Sequence, residues 1–463
     1  MRSRFLGIVL FVVLVSQQVN AQQRHEFSAR DAVEYAKKNS VQVKNALLDV
    51  GIQEQVNKEV TAAALPSVSG SAGINYFPNV TVQTFPNFIA MGTYGVLIQE
   101  GVKNGSGGNI NMPSDFGYIQ AQFGTKFNNT VGVSLQQLLF DGQVFIGLQA
   151  RATTIAFAQK NAEVTEENIR ANVYKIYYQL SASKNQLNII DANLSVLDKL
   201  LSDTKKLFEN GFAEKLDISK LEVQLANLQT ERQKALNQIN NGFLGLKLLM
   251  GMPMQDTLVL TDSITYNDIR DGVLDAAQYN YADRKEYQLI ELGKKLNEYN
   301  IKRYQLSRIP TISLSSNYNL MRQSNQLGFG GRWFKSSMIG VNVNVPIFNG
   351  FSTNARIANA RLVLQKTQNS QEALKLTIDA DVQQAINNYK NALSTLDAQK
   401  RNMELAETVY SQTRLKMQNG VGSQTEISAA QSDLQVAQNN YILALYDAIN
   451  ARIDFLKATG KLQ

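Results

Sequence analysis

The chain has no cysteine and a single histidine, His25. An exported fold of this sequence is held by no disulfide, and no thiol carries chemistry. A zinc site or a histidine-based triad has almost nothing to be built from. No glycine loop ending in Lys-Ser or Lys-Thr is present to cradle phosphate. Carboxylates are scattered over helical stretches. We therefore expect no enzyme, no catalytic residue, no cofactor and no metal. Past the N-terminus there is no run of 18 apolar residues, so no transmembrane helix is expected there. No dense basic cluster interleaves with aromatics, which argues against nucleic acid as a partner.

What is present begins with a secretory signal over residues 1–21. Arg2 and Arg4 give the basic start, Phe5 to Val15 the apolar segment, and Val19-Asn20-Ala21 the small-residue cleavage pattern. The formal net charge of +7 falls by those two arginines in the mature chain.

The organising stretch is a proline-free helix expected from Gly142 to Asn210. From Ile169 its apolar positions are Val173, Ile176, Leu180, Leu187, Ile190, Leu194, Leu197 and Leu201. Steps of three and four over several heptads are a coiled-coil seam. At about 1.5 Å per residue this is a rod of roughly 100 Å. A rod of that length needs partners along its whole length.

Around it the pattern alternates between helix and strand. Ser28 with Asp31 opens a helix that is expected to run to Ala64 and stop at Leu65-Pro66. Val68, Ala72, Ile74 and Tyr76 then alternate with Ser69, Ser71, Gly73 and Asn75, a strand with one wet face. A flexible loop of roughly 50 residues is expected from Pro78 to Asn128. A second strand alternates through Val131, Val133, Leu135 and Leu139 and leads into Phe140-Asp141-Gly142 and the rod. The rod turns at Asn210-Gly211 into a helix ending at Gly251-Met252-Pro253.

The same programme then recurs. A helix runs to Ile309-Pro310. A strand carries Ile312, Leu314, Tyr318 and Leu320, and another Ile339, Val341, Val343 and Val345. Phe348-Asn349-Gly350 opens a second rod, which turns at Asn419-Gly420 into a last helix with a strict seam from Ile427 to Phe455. Strands, rod starts and turns match in order, so the chain is a tandem duplication. We divide it into the signal 1–21, a first repeat 22–250, an equatorial connector 251–280 and a second repeat 281–463. The helix before the first strand and the C-terminal helix are expected to stack end to end against one rod. The helices near 218–250 and 281–308 are expected to serve the other.

Four strands of 10 to 12 residues each match the length that crosses an outer membrane. Four are too few to close a barrel, and an open sheet leaves edges that lipid does not tolerate. Several copies must share one barrel, and three supply an even twelve. Tyr76, Phe77, Phe127, Tyr318, Trp333 and Phe334 are expected near strand ends as an aromatic belt. The fold class is thus mixed α and β, mostly α. Duplicated coiled-coil rods form a periplasmic α-barrel, with a four-strand contribution to a shared trimeric transmembrane β-barrel.

At this point the sequence resembles the outer-membrane efflux protein family, the TolC-like trimeric channel-tunnels. Its carriers are the two helix-to-strand junctions, both Phe-(Asp/Asn)-Gly rod starts, and the turns Asn210 to Asp217 and Asn419 to Glu426. The resemblance implies an exit channel in the cell outer membrane with a periplasmic extension. The partners it implies are two further copies in a homotrimer, a periplasmic adaptor (membrane fusion) protein and an inner-membrane pump, with outer-membrane lipid around the barrel. It also implies a constriction at the inner end of the tunnel, lined in some members by acids after the turn. Asp217 and Glu426 match that position and are the gate candidates. Lys220 and Ala429 stand where some members carry a second acid. Asn210, Gly211, Asn419 and Gly420 are the tip positions that would meet the adaptor. An acid in the first turn of a helix also favours the helix dipole without any gating role. The competing class is a periplasmic coiled-coil scaffold without a channel, which has no use for alternating strands.

Overall fold

The computed structural model describes residues 23–262, 266, 269 and 279–462. The signal 1–21 lies outside the described residues, as does much of the 251–280 connector. In chain order the elements are β1 (Arg24–Phe27), α1 (Ala29–Asn39), α2 (Val41–Ala62), β2 (Ser67–Tyr76), β3 (Val82–Pro86), α3 (Phe88–Gln99), β4 (Tyr118–Gln122) and β5 (Phe127–Phe140). There follow α4 (Gly142–Glu209), α5 (Lys215–Met250), β6 (Thr257–Leu260), α6 (Lys285–Leu306), β7 (Thr311–Ser324), β8 (Phe334–Asn344), α7 (Ser352–Gln418) and α8 (Gln424–Ala458). The rods α4 and α7 hold 68 and 67 residues, so the duplication preserved rod length to within one residue.

The chain divides into two compact units. The first takes the described residues up to Val56 with Ala150–Tyr299 and Asn359–Gln463; the second takes Asn57–Gln149 and Asn300–Ala358. Each unit draws on both sequence repeats.

In the first unit the heptad positions of the rods are the core. Val173, Tyr177 and Leu180 of α4 pack with Ala32 and Val33 of α1 and with Ile239, Leu246 and Met250 of α5. Ile190 and Leu197 continue that seam against Leu221 and Leu228. On the other rod, Ile378, Val382, Tyr389 and Leu396 pack with Leu445, Ala448 and Phe455 of α8. The helix α6 reaches α7 through Asn297 Nδ2, which donates to Thr367 Oγ1 at 2.9 Å. The pairing expected from the sequence is met only in part: α1 packs on α4, but α5 does too, while α8 packs on α7 and also touches α4 through Ala171 and the Lys175–Asp454 ion pair. The reason is local. Each turn reverses the chain in a few residues, so a short helix folds back on the rod it follows. Polar contacts still cross between the halves: Asn193 of α4 bonds Gln431 at 3.0 Å and Gln438 at 3.2 Å of α8.

The expected first helix is interrupted at Ser40, whose ψ of 130° is extended. Its predicted opening is present: Ser28 Oγ accepts from Asp31 N–H, and the Asp31 carboxylate accepts from Ser28 N–H, each at 3.1 Å. The strand β1 pairs in parallel with β6, with Leu258, Val259 and Leu260 opposite His25, Glu26 and Phe27. His25 serves this small sheet, its Nε2 3.3 Å from Asp256 Oδ2. The buried Tyr177 hydroxyl donates to Phe27 O at 2.8 Å and accepts from Asp262 N–H at 3.0 Å. Tyr279, at the end of the connector, and Tyr281, just past it, donate to the Asp379 carboxylate of α7 and hold its pKa below the usual carboxylate range.

In the second unit β2, β5, β7 and β8 form one antiparallel sheet in that order, with β2 and β8 as its edges. A bulge between Leu138 and Phe140 bends β5 just before the rod. Helices meet the sheet at one end: Pro66, Phe140-Asp141, Pro310 and Val345 all lie there. Loops occupy the opposite end. The long loop is not structureless, because β3 and β4 pair as a ladder around α3.

Gly142 is where α4 starts beside the α6–β7 junction. A Cβ there would stand 2.8 Å from Leu306 Cβ and from Ile309 Cδ1, and 3.1 Å from Leu306 O. Backbone on one side limits relaxation, so Gly142→Ala is expected to destabilise by about 1–3 kcal/mol. The denaturant midpoint of the refolded protein measures it; an unchanged midpoint would show that the junction is loose.

Candidate channel wall and hairpin turns

Opposed residues of an antiparallel sheet share a face, so the register assigns every side chain of the wall. One face carries Val68 and Ile74, Val131, Val133 and Leu135, Ile312, Leu314 and Tyr318, and Ile339, Val341 and Val343. Many are open to solvent in the single chain, Ile339 by 77%. The other face carries Ser69 and Ser71, Thr130, Gly132 and Ser134, Ser313, Ser315, Asn317 and Asn319, and Asn342. Its hydroxyls and amides bond across strands: Ser69 Oγ to Ser134 Oγ at 2.8 Å, and Asn342 Nδ2 to Ser315 Oγ at 3.0 Å. Gly132 makes room for the facing Asn319, whose Oδ1 would meet a Cβ at 1.9 Å. Within its paired stretches this face carries no ionisable residue. The sheet thus has one largely apolar face, with Asn129, Arg322 and Lys335 at its loop end, and one neutral, hydrogen-bonding face.

At the loop end Tyr76 lies opposite Phe127, ring centroids 4.8 Å apart. Phe334 opens β8 there, and Phe77 and Trp333 flank the strands. Tyr318 does not join them, since it pairs with Val133 and Ser337 in mid-sheet. The strand β7 runs four residues beyond the expected Leu320 and so leaves Tyr318 inside it. Two residues that the sequence pattern passed over close this end. Asn129 and Arg322 face each other on the apolar side, both buried. Asn129 Nδ2 donates to Gly328 O at 2.9 Å and Arg322 Nη1 to the same oxygen at 2.6 Å, while Arg322 Nε reaches Gly330 O. They bind the β7–β8 loop to the sheet. A lone polar pair at the end of an alternating strand was the available signal.

The two rod turns are built alike. In the first, Gly211 N–H donates to Phe208 O at 3.0 Å and Phe212 N–H to Leu207 O at 2.8 Å. In the second, Gly420 N–H donates to Met417 O and Val421 N–H to Lys416 O, both at 3.0 Å. This is the Schellman closure, which needs a left-handed residue after the cap. Gly211 and Gly420 supply it at φ of 80° and 74°. Asn210 adds a side-chain bond to Lys206 O at 2.7 Å. The residues after the glycines, Phe212 and Val421, are 81% and 77% exposed. An apolar side chain following each glycine was legible in both copies, and the capping rule was the way to find it.

The acids differ between the copies. Asp217 is the third residue of α5, and its carboxylate accepts the Glu214 N–H at 3.3 Å. Glu426 is the third residue of α8, but there Ser423 Oγ accepts the Glu426 N–H at 3.2 Å. The exposed Glu426 carboxylate makes no hydrogen bond or ion pair among the described residues. The starts of α5 and α8 flank one groove of about 680 Å³, lined by Asp217, Lys220, Val223, Thr425, Ser428 and Ala429 among others. The structure thus brings the two helix starts together, with a lysine and an alanine at the positions where a second acid was absent. Ion pairs Lys205–Glu222 at 2.9 Å and Asp191–Arg232 at 2.5 Å tie α4 to α5.

Residues 290–461 match the family profile described as Outer membrane efflux protein. The outer membrane protein TolC of Vibrio cholerae is 21% identical over 72% of this chain and 77% of its own length. The proteases secretion protein PrtF of Dickeya chrysanthemi is 18% identical over 71% of this chain and 72% of its own. Among solved structures, CusC superposes with a TM-score of 0.72 at 15% identity, over 93% of this chain and 92% of that one. The Campylobacter jejuni CmeC outer membrane channel gives 0.70 at 15% identity, over 94% and 85%. The fold is that of these channel-tunnels, helical rods with a strand contribution, and residues 290–461 of the chain are similar to the outer membrane efflux protein family.

Proposed function

We propose that three copies of this chain form the exit channel of a tripartite efflux or type I secretion system in the cell outer membrane. The observation that carries this reading is the two-faced sheet with two unpaired edges. Burying one aliphatic side chain contributes about 1.5–3 kcal/mol. Leaving ten or so in water forfeits more than the roughly 5–15 kcal/mol by which a domain is stable. Hydrocarbon covers that face. The edges then need partners, because each unpaired backbone group in hydrocarbon costs several kcal/mol. The β2 edge has 10 residues and the β8 edge 11, and the two run in opposite directions. The β8 of one copy therefore matches the β2 of the next, and twelve strands close with the neutral polar face inward.

Chain order places the rods on the periplasmic side, since the helix junctions lie at one end of the sheet and the loops at the other. Relatives carry names that run from protease secretion to toluene efflux. The sequence division into repeats 22–250 and 281–463 around a 251–280 connector fits a tube built by duplication. In this reading the turns at Asn210-Gly211 and Asn419-Gly420 face the periplasmic adaptor, with the inner-membrane pump beyond. Their exposed Phe212 and Val421 supply the apolar contact. Three Glu426 carboxylates converge at the tunnel end and bind cations there, while Asp217 serves chiefly its own helix start.

Fractionation tests the reading against the scaffold alternative. The protein is expected in the outer membrane as a trimer that conducts in planar bilayers; a monomer in the soluble periplasmic fraction without conductance overturns it. For the gate, Glu426→Gln is expected to relieve block by multivalent cations severalfold, whereas Asp217→Asn changes it little. Equal block of Glu426→Gln and wild type sinks the gate assignment. For docking, Phe212→Asp with Val421→Asp is expected to abolish efflux or secretion in the host while the trimer and its conductance persist. Retained export would remove these turns from the adaptor contact.

A further inference from the structure

The element least suited to water is α3, in the loop between β2 and β5. Its sequence, Phe88-Ile-Ala-Met-Gly-Thr-Tyr-Gly-Val-Leu-Ile-Gln99, holds no charge. From Val60 to Gln99 the chain has no Asp, Glu, Lys or Arg at all. The helix is seated on its own loop by Ala90 and Leu97, which are half-buried, and by Tyr94, whose ring lies 5.6 Å from Phe116. Phe88, Ile89, Met91, Val96 and Ile98 are exposed. At 3.6 residues per turn these five point in several directions, so the helix has no polar face. A helix apolar all round is stable only where it is surrounded by apolar material.

We propose that α3 inserts its exposed side chains into the acyl region of the outer leaflet and anchors the channel laterally. The proposal rests on the channel reading above, which puts hydrocarbon against the sheet's apolar face. Three observations select lipid as the occupant. The uncharged run continues from β2, the edge strand of the lipid-facing sheet, into the helix without a break. Twelve residues reach only about 18 Å, short of the roughly 30 Å core, so the helix lies in one leaflet rather than crossing. The alternative, three copies of α3 packed over the barrel mouth, leaves part of each helix facing water, and α3 has no side fit for it.

The cysteine-free chain permits a direct test. A single cysteine in the trimer, at Val96 (Val96→Cys), carries an environment-sensitive fluorophore. The trimer is reconstituted in phosphatidylcholine–phosphatidylglycerol vesicles holding an acyl-chain nitroxide. Val341→Cys, on the sheet's apolar face, and Ser106→Cys, in the glycine-rich part of the loop, are the references, and Ile89→Cys is a second reporter should Val96→Cys fail to fold. Quenching at Val96 or Ile89 comparable with Val341 and severalfold above Ser106 is expected. Quenching at Val341 alone overturns the proposal and leaves the channel reading standing. Disulfide cross-links between copies at Val96 without quenching also overturn it, in favour of packing over the mouth. No quenching at Val341 overturns the channel reading and the proposal together.

Discussion

Everything in this molecule depends on the backbone of two strands. Among the described residues, the edges β2 and β8 each pair with a strand on one side only, which leaves a row of N–H and C=O groups without a ladder partner. In water such edges invite aggregation, and in hydrocarbon they are untenable. The only closed solution with four strands per chain is to share a barrel, and sharing fixes much else. It fixes an antiparallel join between copies, because β2 and β8 run in opposite directions. It also fixes which face is inside. The Ser and Asn side chains bond laterally to each other across β2–β5 and β7–β8, so the wet wall is pre-ordered before any neighbour arrives.

The rods follow from the same closure. With helix junctions at one end of the sheet, α2, α4, α6 and α7 all meet the strands on the same side. Pro66 and Pro310 end the incoming helices, since proline disfavours a helical residue before it. Gly142 lets the first rod leave within contact of Leu306 and Ile309. The second rod leaves differently, through Gly350 and Phe351, both at positive φ, before Ser352 begins the helix. Equivalent sequence positions thus solve one geometric problem in two ways, by close packing in one repeat and by a left-handed turn in the other.

Long periodic elements were legible and short or relational ones were not. The rods, the four membrane strands and both turns follow from the repeated pattern, because dozens of residues vote for each. The strand β1 has four residues, too few for a period, and its partner β6 lies more than two hundred residues away. The break at Ser40 sits in a stretch whose flanks are both helical, so periodicity reads through it. The helix α3 was hidden by its uniform apolarity, which gives a helix no moment to detect. Which helix lies on which rod could not be read from seams that are all alike. It was decided by turns tight enough to fold α5 back on α4. Of the candidate site, the turn glycines and both acids were visible. Phe212 and Val421 were legible through the glycines before them, whereas Asn129 and Arg322 matter through the loop carbonyls they hold, and that is set by the fold.

The two acids bring these strands of argument to one point. Duplication gave both turns the same Schellman closure and the same spacing from glycine to acid. Had the acids only a capping task, both would be occupied in the same way. In the first copy the residue at the cap is Glu214, and the Asp217 carboxylate takes its N–H. In the second copy Ser423 caps the helix with its hydroxyl. The start of α8 therefore does not need the Glu426 side chain, beyond a dipole contribution of about 0.3–1 kcal/mol. A serine cap thus leaves the Glu426 carboxylate free of its own helix start, which is what the proposed gate requires of it. The asymmetry that makes Glu426 the stronger gate candidate lies in the residue three positions before it rather than in the acid itself.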